Sequence, residues 1–222
     1  MARTARTSRT SGGAKKPAAG KAGARKAAAP AGDAATRLRA ALLHLMATRG
    51  WRDLSLAEIA EEAGLDMASA HAVYPTKAAI LLALARATDD DILESLRDEP
   101  LEGGARDRLF DLLMRRFDRL QRRRDAYATL LRELPQTPLE AAMLSRQVQR
   151  SLALLLETAG LSSSGIKGML RVQGLMMIYL AGLRAWLRDD SEDLAKTMAE
   201  IDKRLGQAAK FSEMCAPRQQ AA

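Results

Sequence analysis

Three features of the sequence predict an all-α fold, with an N-terminal three-helix unit followed by a larger helical bundle. Beyond residue 34, Ala, Leu, Arg, Glu and Met dominate while Val and Ile are sparse, a composition that favours helix over strand. No segment alternates apolar and polar residues with the period of two that a half-buried strand needs. Helix start and stop signals recur instead. Ser55 stands three residues before Glu58, Thr137-Pro138 precedes Glu140, and glycines 64 and 160 follow periodic apolar runs.

Residues 1–33 are set apart by composition. They are rich in Ala, Gly, Pro, Ser and Thr and carry Arg3, Arg6, Arg9, Lys15, Lys16, Lys21, Arg25 and Lys26 against Asp33 alone, which accounts for seven of the eight net positive charges. With no large apolar residue after Met1, such a stretch cannot bury a core and is expected to be a disordered basic tail. It suits added phosphate contacts with a steep salt dependence, and equally solubility or contact with acidic membranes. The rest of the chain holds 27 basic and 26 acidic residues and is nearly neutral.

A first amphipathic helix is expected over 34–49. Ser55 and Glu58 then form a capping box, and Leu56, Ile59, Ala60 and Ala63 recur at helical spacing. Gly64 can take the left-handed conformation that closes this helix, and Leu65 plugs the turn. Asp66 caps a further short helix from Met67 to about Val73, which Pro75 stops. Two short helices joined by a tight glycine turn are the unit that places a recognition helix in a DNA major groove.

With the preceding helix, and with Tyr74-Pro75-Thr76-Lys77 leading into the next, this segment resembles the N-terminal domain of TetR-family transcriptional regulators. Gly64, Leu65, Asp66, Tyr74, Pro75, Thr76 and Lys77 fill the places of the family pattern. The resemblance implies a TetR-like fold, a homodimer, double-stranded DNA as partner, and a ligand-responsive repressor. It also implies that Thr76 and Lys77 hold DNA phosphates where the fourth helix begins. The DNA-binding candidates are thus Ser55, Asp66, Met67, Ser69, His71, Tyr74, Thr76 and Lys77. The chain departs from the pattern in having Met67 and His71 where the family usually has a basic residue and a tyrosine. Between Met67 and Val73 there is no Lys, Arg, Asn or Gln for bidentate contacts with base edges. A helix-turn-helix kept only as a packing unit fits the same residues.

The organisation expected is 34–80 as DNA-binding domain, 81–210 as ligand-binding and dimerisation domain, and 211–222 as a flexible C-terminal tail. A long helix from Thr76 to about Arg97 carries Ile80, Leu81, Leu84, Ile92 and Leu96 on its buried stripe. Asp89, Asp90 and Asp91 on it point around the helix, so a solvated face is expected rather than a metal site. After Gly103-Gly104, residues 105–121 place Leu109, Leu112, Leu113, Phe117 and Leu120 on one side. The arginines from Arg106 to Arg124 interleave with aspartates and are expected to be a salt-bridged solvent face.

Helices follow from Thr137 to Ala159 and from Ser164 to about Arg188, the natural dimerisation elements. Phe117, Met169, Met176 and Tyr179 are the candidates for lining a pocket for a small apolar or lipid effector, though core packing accounts for such residues equally well. A last helix capped by Ser191 carries a seam of Leu194, Met198, Ile201 and Leu205, suited to docking on the body or to lying on a membrane. Residues 108–118 (RLFDLLMRRFD), 186–194 (WLRDDSEDL) and 197–205 (TMAEIDKRL) are similar to a second group with the TetR architecture, the lipid-binding accessory proteins of ubiquinone biosynthesis. That resemblance implies an alternative in which the protein binds lipid and does not read DNA, with membrane contact only in that case.

Enzyme chemistry is not expected. There is no nucleophile elbow, phosphate-binding glycine loop or metal-ligand spacing, and no cofactor is implied. His44 is expected on a helix surface or in the core. Cys215, the only cysteine, excludes an intramolecular disulfide. The longest apolar patch, Leu175 to Leu183, is too short to span a bilayer, and a cytoplasmic location is expected.

Overall fold

α1 (Ala31–Arg49), α2 (Leu56–Glu62) and α3 (Met67–Val73) form the N-terminal unit, and α4 (Lys77–Ser95) leaves it as one unbroken rod. The body comprises α5 (Ala105–Gln121), α6 (Arg124–Glu133), a 3₁₀ turn (Leu134–Gln136), α7 (Pro138–Thr158), α8 (Gly165–Trp186) and α9 (Ala195–Met214). The structure, a computed structural model, describes residues 31–214, and among these there is no strand. Most of the expected N-terminal tail lies outside the described residues, but its last three positions are helical. The expected C-terminal tail likewise begins inside α9, and Cys215 lies outside the described residues.

Two cores result. The first gathers Leu38, Leu42 and Met46 of α1, Trp51, Ile59 of α2, Ala70 of α3 and Ile80, Leu81 and Leu84 of α4. Ala126 and Leu130 of α6 also belong to it, so the body holds the N-terminal unit from behind. The second gathers Ile92 of α4 with apolar residues of α5, α7, α8 and α9, among them Leu113, Phe117, Leu155, Tyr179, Trp186 and Ile201. Each such side chain removed from water contributes about 1.5–3 kcal/mol. α4 shares both cores, which fixes the tilt of the N-terminal unit against the body.

Gly182 sets how closely the body helices approach. A Cβ there would stand 2.9 Å from Phe117 Cζ and 3.1 Å from Ile201 Cγ1, so only glycine lets α5 and α9 pack on α8 at this level.

Several expectations change in the body. Asp89 is buried: it pairs with Arg116 Nη1 at 2.5 Å and accepts from Ser151 Oγ. The solvated acidic face is therefore Asp90 and Asp91, and Arg116 is removed from an arginine face of which only Arg122 and Arg123 are fully exposed, the others being half-buried. Thr137 does not cap α7, because its Oγ1 donates back to the Leu134 carbonyl at 3.3 Å. Met198 is 40 % exposed and leaves the α9 seam, whose docked residues are Leu194, Thr197, Ile201 and Leu205. The seam docks on α8 and α5. His44 lies on the surface, its Nδ1 2.8 Å from Glu62 Oε1.

Asp189 organises the start of α9. Buried, it accepts from the Thr197 N–H and Oγ1 at 2.8 Å each and from the Ser191 hydroxyl. Burial alone would raise its pKa. The hydrogen bonds from Ser191 and Thr197 outweigh that and hold it at about 2. Ser191 Oγ in turn accepts from Ala195 N at 3.0 Å, and Leu194 takes a left-handed conformation (φ 56°) that drives its side chain into the core.

Candidate nucleic-acid interface

The helix-turn-helix is built by local hydrogen bonds that match the sequence signals. Ser55 Oγ accepts from Glu58 N at 3.2 Å, and Glu58 Oε2 accepts from Ser55 N at 2.9 Å, closing the capping box. The Ser55 hydroxyl, followed by the Ser55 N–H and the Arg49 guanidinium, holds the Glu58 carboxyl down at about 2. Gly64 (φ 64°) closes α2: Leu65 N reaches the Ala60 carbonyl and Gly64 N the Glu61 carbonyl. Arg37 of α1 donates to the carbonyls of Ala63 and Gly64, bracing the turn from outside.

Asp66 caps α3, with Oδ1 accepting from Ser69 N and Oδ2 from Ser69 Oγ, both at 2.8 Å. These bonds lower the Asp66 pKa. Tyr74 ends α3, its hydroxyl accepting from Arg39 Nη1 at 3.2 Å. Thr76 caps α4 by accepting from Ala79 N at 3.1 Å.

Lys77 turns inward. Its Nζ donates to the carbonyls of Trp51 and Arg52 at 3.0 Å each and lies 4.6 Å from the centroid of the buried Trp51 ring. Two of the three ammonium donors of Lys77, for which the family resemblance implies a phosphate contact, are thus directed at this loop. The Glu133 carboxylate of α6 grips the same loop, accepting from Trp51 N at 2.7 Å and Arg52 N at 3.0 Å. Arg52 Nη1 also donates to Gln136 Oε1 at 2.5 Å. Trp51 and Glu133 escape sequence reasoning because their partners lie far along the chain and follow no local spacing.

The face α3 turns outward consists of Met67, Ala68, His71 and Ala72, all exposed, while Ala70 packs inward. Of the eight DNA-binding candidates, Ser55, Asp66, Ser69, Tyr74, Thr76 and Lys77 have side-chain polar atoms engaged within the protein. Met67, 49 % exposed, and His71 stand outward.

In the body, a cavity of about 70 Å³ lies between α4, α5, α6, α7 and α8. Leu81, Leu84, Leu120, Leu144, Val148 and Leu183 supply apolar walls, and Thr88, Arg116, Tyr127 and Tyr179 the polar groups. Burial works against the charge on Arg116, but the Tyr179 hydroxyl and Asp89 outweigh it and push its pKa up. Burial pushes the Tyr127 phenol up as well.

Of the four effector candidates only Tyr179 lines this cavity. Phe117 packs in the core, its ring centroid 5.5 Å from that of Tyr179. Met176 is half-buried against the core, and Met169 is exposed on the outer face of α8. That face also carries Ile166 and Leu170 and, beyond the exposed Gln173 and Gly174, Met177, so its apolar side chains lie without cover in the protomer. Among the described residues no group of three or more His, Cys, Asp or Glu is arranged to hold a metal, and no helix is long and apolar enough to cross a membrane.

Residues 38–84 match the bacterial regulatory proteins of the tetR family. No curated protein matches the chain. Among solved structures, the TetR transcriptional regulator from Nitrosomonas europaea ATCC 19718 is similar at a TM-score of 0.63 and 21 % identity, covering 79 % of this chain and 98 % of its own. A TetR transcriptional regulator from Rhodococcus sp. RHA1 follows at 0.58 and 14 %, covering 79 % and 94 %. The fatty acid degradation regulator FadR from Bacillus halodurans gives 0.51 and 16 %, covering 77 % and 93 %. These likenesses establish that the body as well as the N-terminal unit has the TetR-like fold.

Proposed function

We propose that this chain, whose residues 38–84 are a tetR-family domain on a TetR-like body, is a homodimeric, DNA-binding transcriptional repressor that a small apolar effector releases. The observation that carries this reading is the mounting of α3. It is capped at its start, held on its inner face by Ala70, closed behind by the Gly64 turn, and left exposed on its outer face. Such a helix is placed to enter a major groove.

Residues 34–80 then act as the DNA-binding domain and 81–210 as the effector and dimer body, with α4 continuous between them. The apolar stripe Ile166, Met169, Leu170 and Met177 pairs with its symmetry mate, giving two α3 helices for half-sites about 34–36 Å apart. The protein works by binding rather than by catalysis, in the cytoplasm. The basic residues before α1 add sequence-independent phosphate contacts.

Release follows from the smallness of the cavity. At about 70 Å³ it is well below the volume of an ordinary ligand site, so an apolar or lipid-like effector has to spread its walls. Those walls include α4 and α6, which contribute buried residues to the core of the N-terminal unit. Spreading them changes the separation of the two α3 helices and lowers operator affinity.

Selection of binders from random duplex DNA by the full chain at near-physiological salt tests the reading. Enrichment of a two-fold symmetric site is expected. Recovery of no common sequence overturns it.

A further inference from the structure

We infer that α3 reads its operator mainly through thymine C5-methyl groups, with Met67, Ala68 and Ala72 as the methyl-contacting surface and His71 as the single hydrogen-bonding reader. This rests on the DNA-binding reading above and names what that site recognises.

The outward face of α3 offers almost nothing else. The Ser69 hydroxyl and the Asp66 carboxylate are engaged with one another, and Thr76, Tyr74 and Lys77 are engaged within the protein. Met67, Ala68 and Ala72 bring only carbon and sulfur to the groove. At the major-groove edge thymine carries a C5-methyl beside its O4 acceptor, whereas a G·C pair presents only acceptors and donors there. An apolar face laid against those edges strips them of water without replacing the hydrogen bonds, so it discriminates against them. Laid against thymine it covers a methyl. The short side chains of Ala68 and Ala72 let the helix backbone approach the groove floor, and Met67 adapts its three torsions to the methyl positions. His71, four residues after Met67, shares its face and can bond one base edge.

The test exploits deoxyuridine, which differs from thymidine only in the missing methyl and keeps every hydrogen-bonding group. The duplex selected by the full chain is resynthesised with uracil at the thymines of the half-sites, and separately at thymines of the flanks. Removing a contacted methyl is expected to weaken binding about fourfold per methyl, with no change from the flanks. Met67→Ala, at an exposed position, is expected to shrink that thymine-to-uracil ratio. Equal affinity for thymine and uracil half-sites overturns the inference while leaving the DNA-binding reading intact. An unchanged ratio in Met67→Ala overturns the assignment to Met67. Failure of the chain to enrich any sequence overturns both readings.

Discussion

Replacing Asp89 by Asn isolates the buried charge pair that joins α4 to α5. Arg116 and Asp89 are 3 % and 5 % exposed, and Nη1 and Oδ1 stand 2.5 Å apart. Besides Asp89, Arg116 has the Tyr179 hydroxyl at 3.4 Å, whose ring lies 5.4 Å from the guanidinium carbon. Asn keeps the shape and an acceptor but removes the compensating charge, leaving a guanidinium in a nearly dry site. Breaking such a pair costs about 3–5 kcal/mol, which for a chain of this length lowers Tm by roughly 10 °C. Urea unfolding at fixed protein concentration reads the change, the concentration being held because the stability of the proposed dimer depends on it. The companion variant Asp89→Leu with Arg116→Met removes both charges and is expected to recover most of the loss. A loss under about 1 kcal/mol in Asp89→Asn, or a double variant no more stable than the single one, refutes the reasoning.

Other consequences follow from different parts of the molecule. Ile166→Glu with Leu170→Glu puts charge on the uncovered stripe of α8 and is expected to convert the proposed dimer to a monomer in sedimentation velocity while leaving its helical circular dichroism intact. Glu133→Ala orphans the N–H groups of Trp51 and Arg52 and is expected to cost about 1–3 kcal/mol, with faster hydrogen exchange at those two amides. Asp189 titrates at about 2 in the folded protein, below its ordinary 3.8. Its stabilisation of about 2 kcal/mol is therefore complete above pH 4 and lost as pH falls through 2. Asp189→Asn is expected to flatten the acid limb of stability between pH 4 and 2.

The legible parts of the molecule are those whose cause is local. Ser55 with Glu58, Gly64, Asp66 and Thr76 each act within a few residues, and the boundaries of α2, α3 and α4 follow from them. The resemblance to TetR-family regulators rests on the same short segment. What escaped is non-local. Nothing near Asp89 in the sequence reveals that Arg116 and Ser151 will meet it, 27 and 62 residues away. Lys77 looks like a surface cation until Trp51 and the loop held by Glu133 are brought beneath it. Thr137 and Pro138 have the spacing of a helix start, yet the preceding 3₁₀ turn takes the threonine hydroxyl. The apolar periodicity of α8 did not separate Tyr179, which lines a cavity, from Met169, which faces outward, because both obey a helical spacing.

The specificity of the chain without its basic N-terminal residues tests the central claim most directly. A chain starting at Ala31 is titrated, at physiological salt, with the selected duplex and with a scrambled duplex of the same length and composition. Without residues 1–30 the sequence-independent contribution of the basic tail is absent. The account predicts a preference of about a thousandfold or more for the selected duplex. Equal affinity for the two would contradict it, and would make the helix-turn-helix a packing unit rather than a reader of DNA.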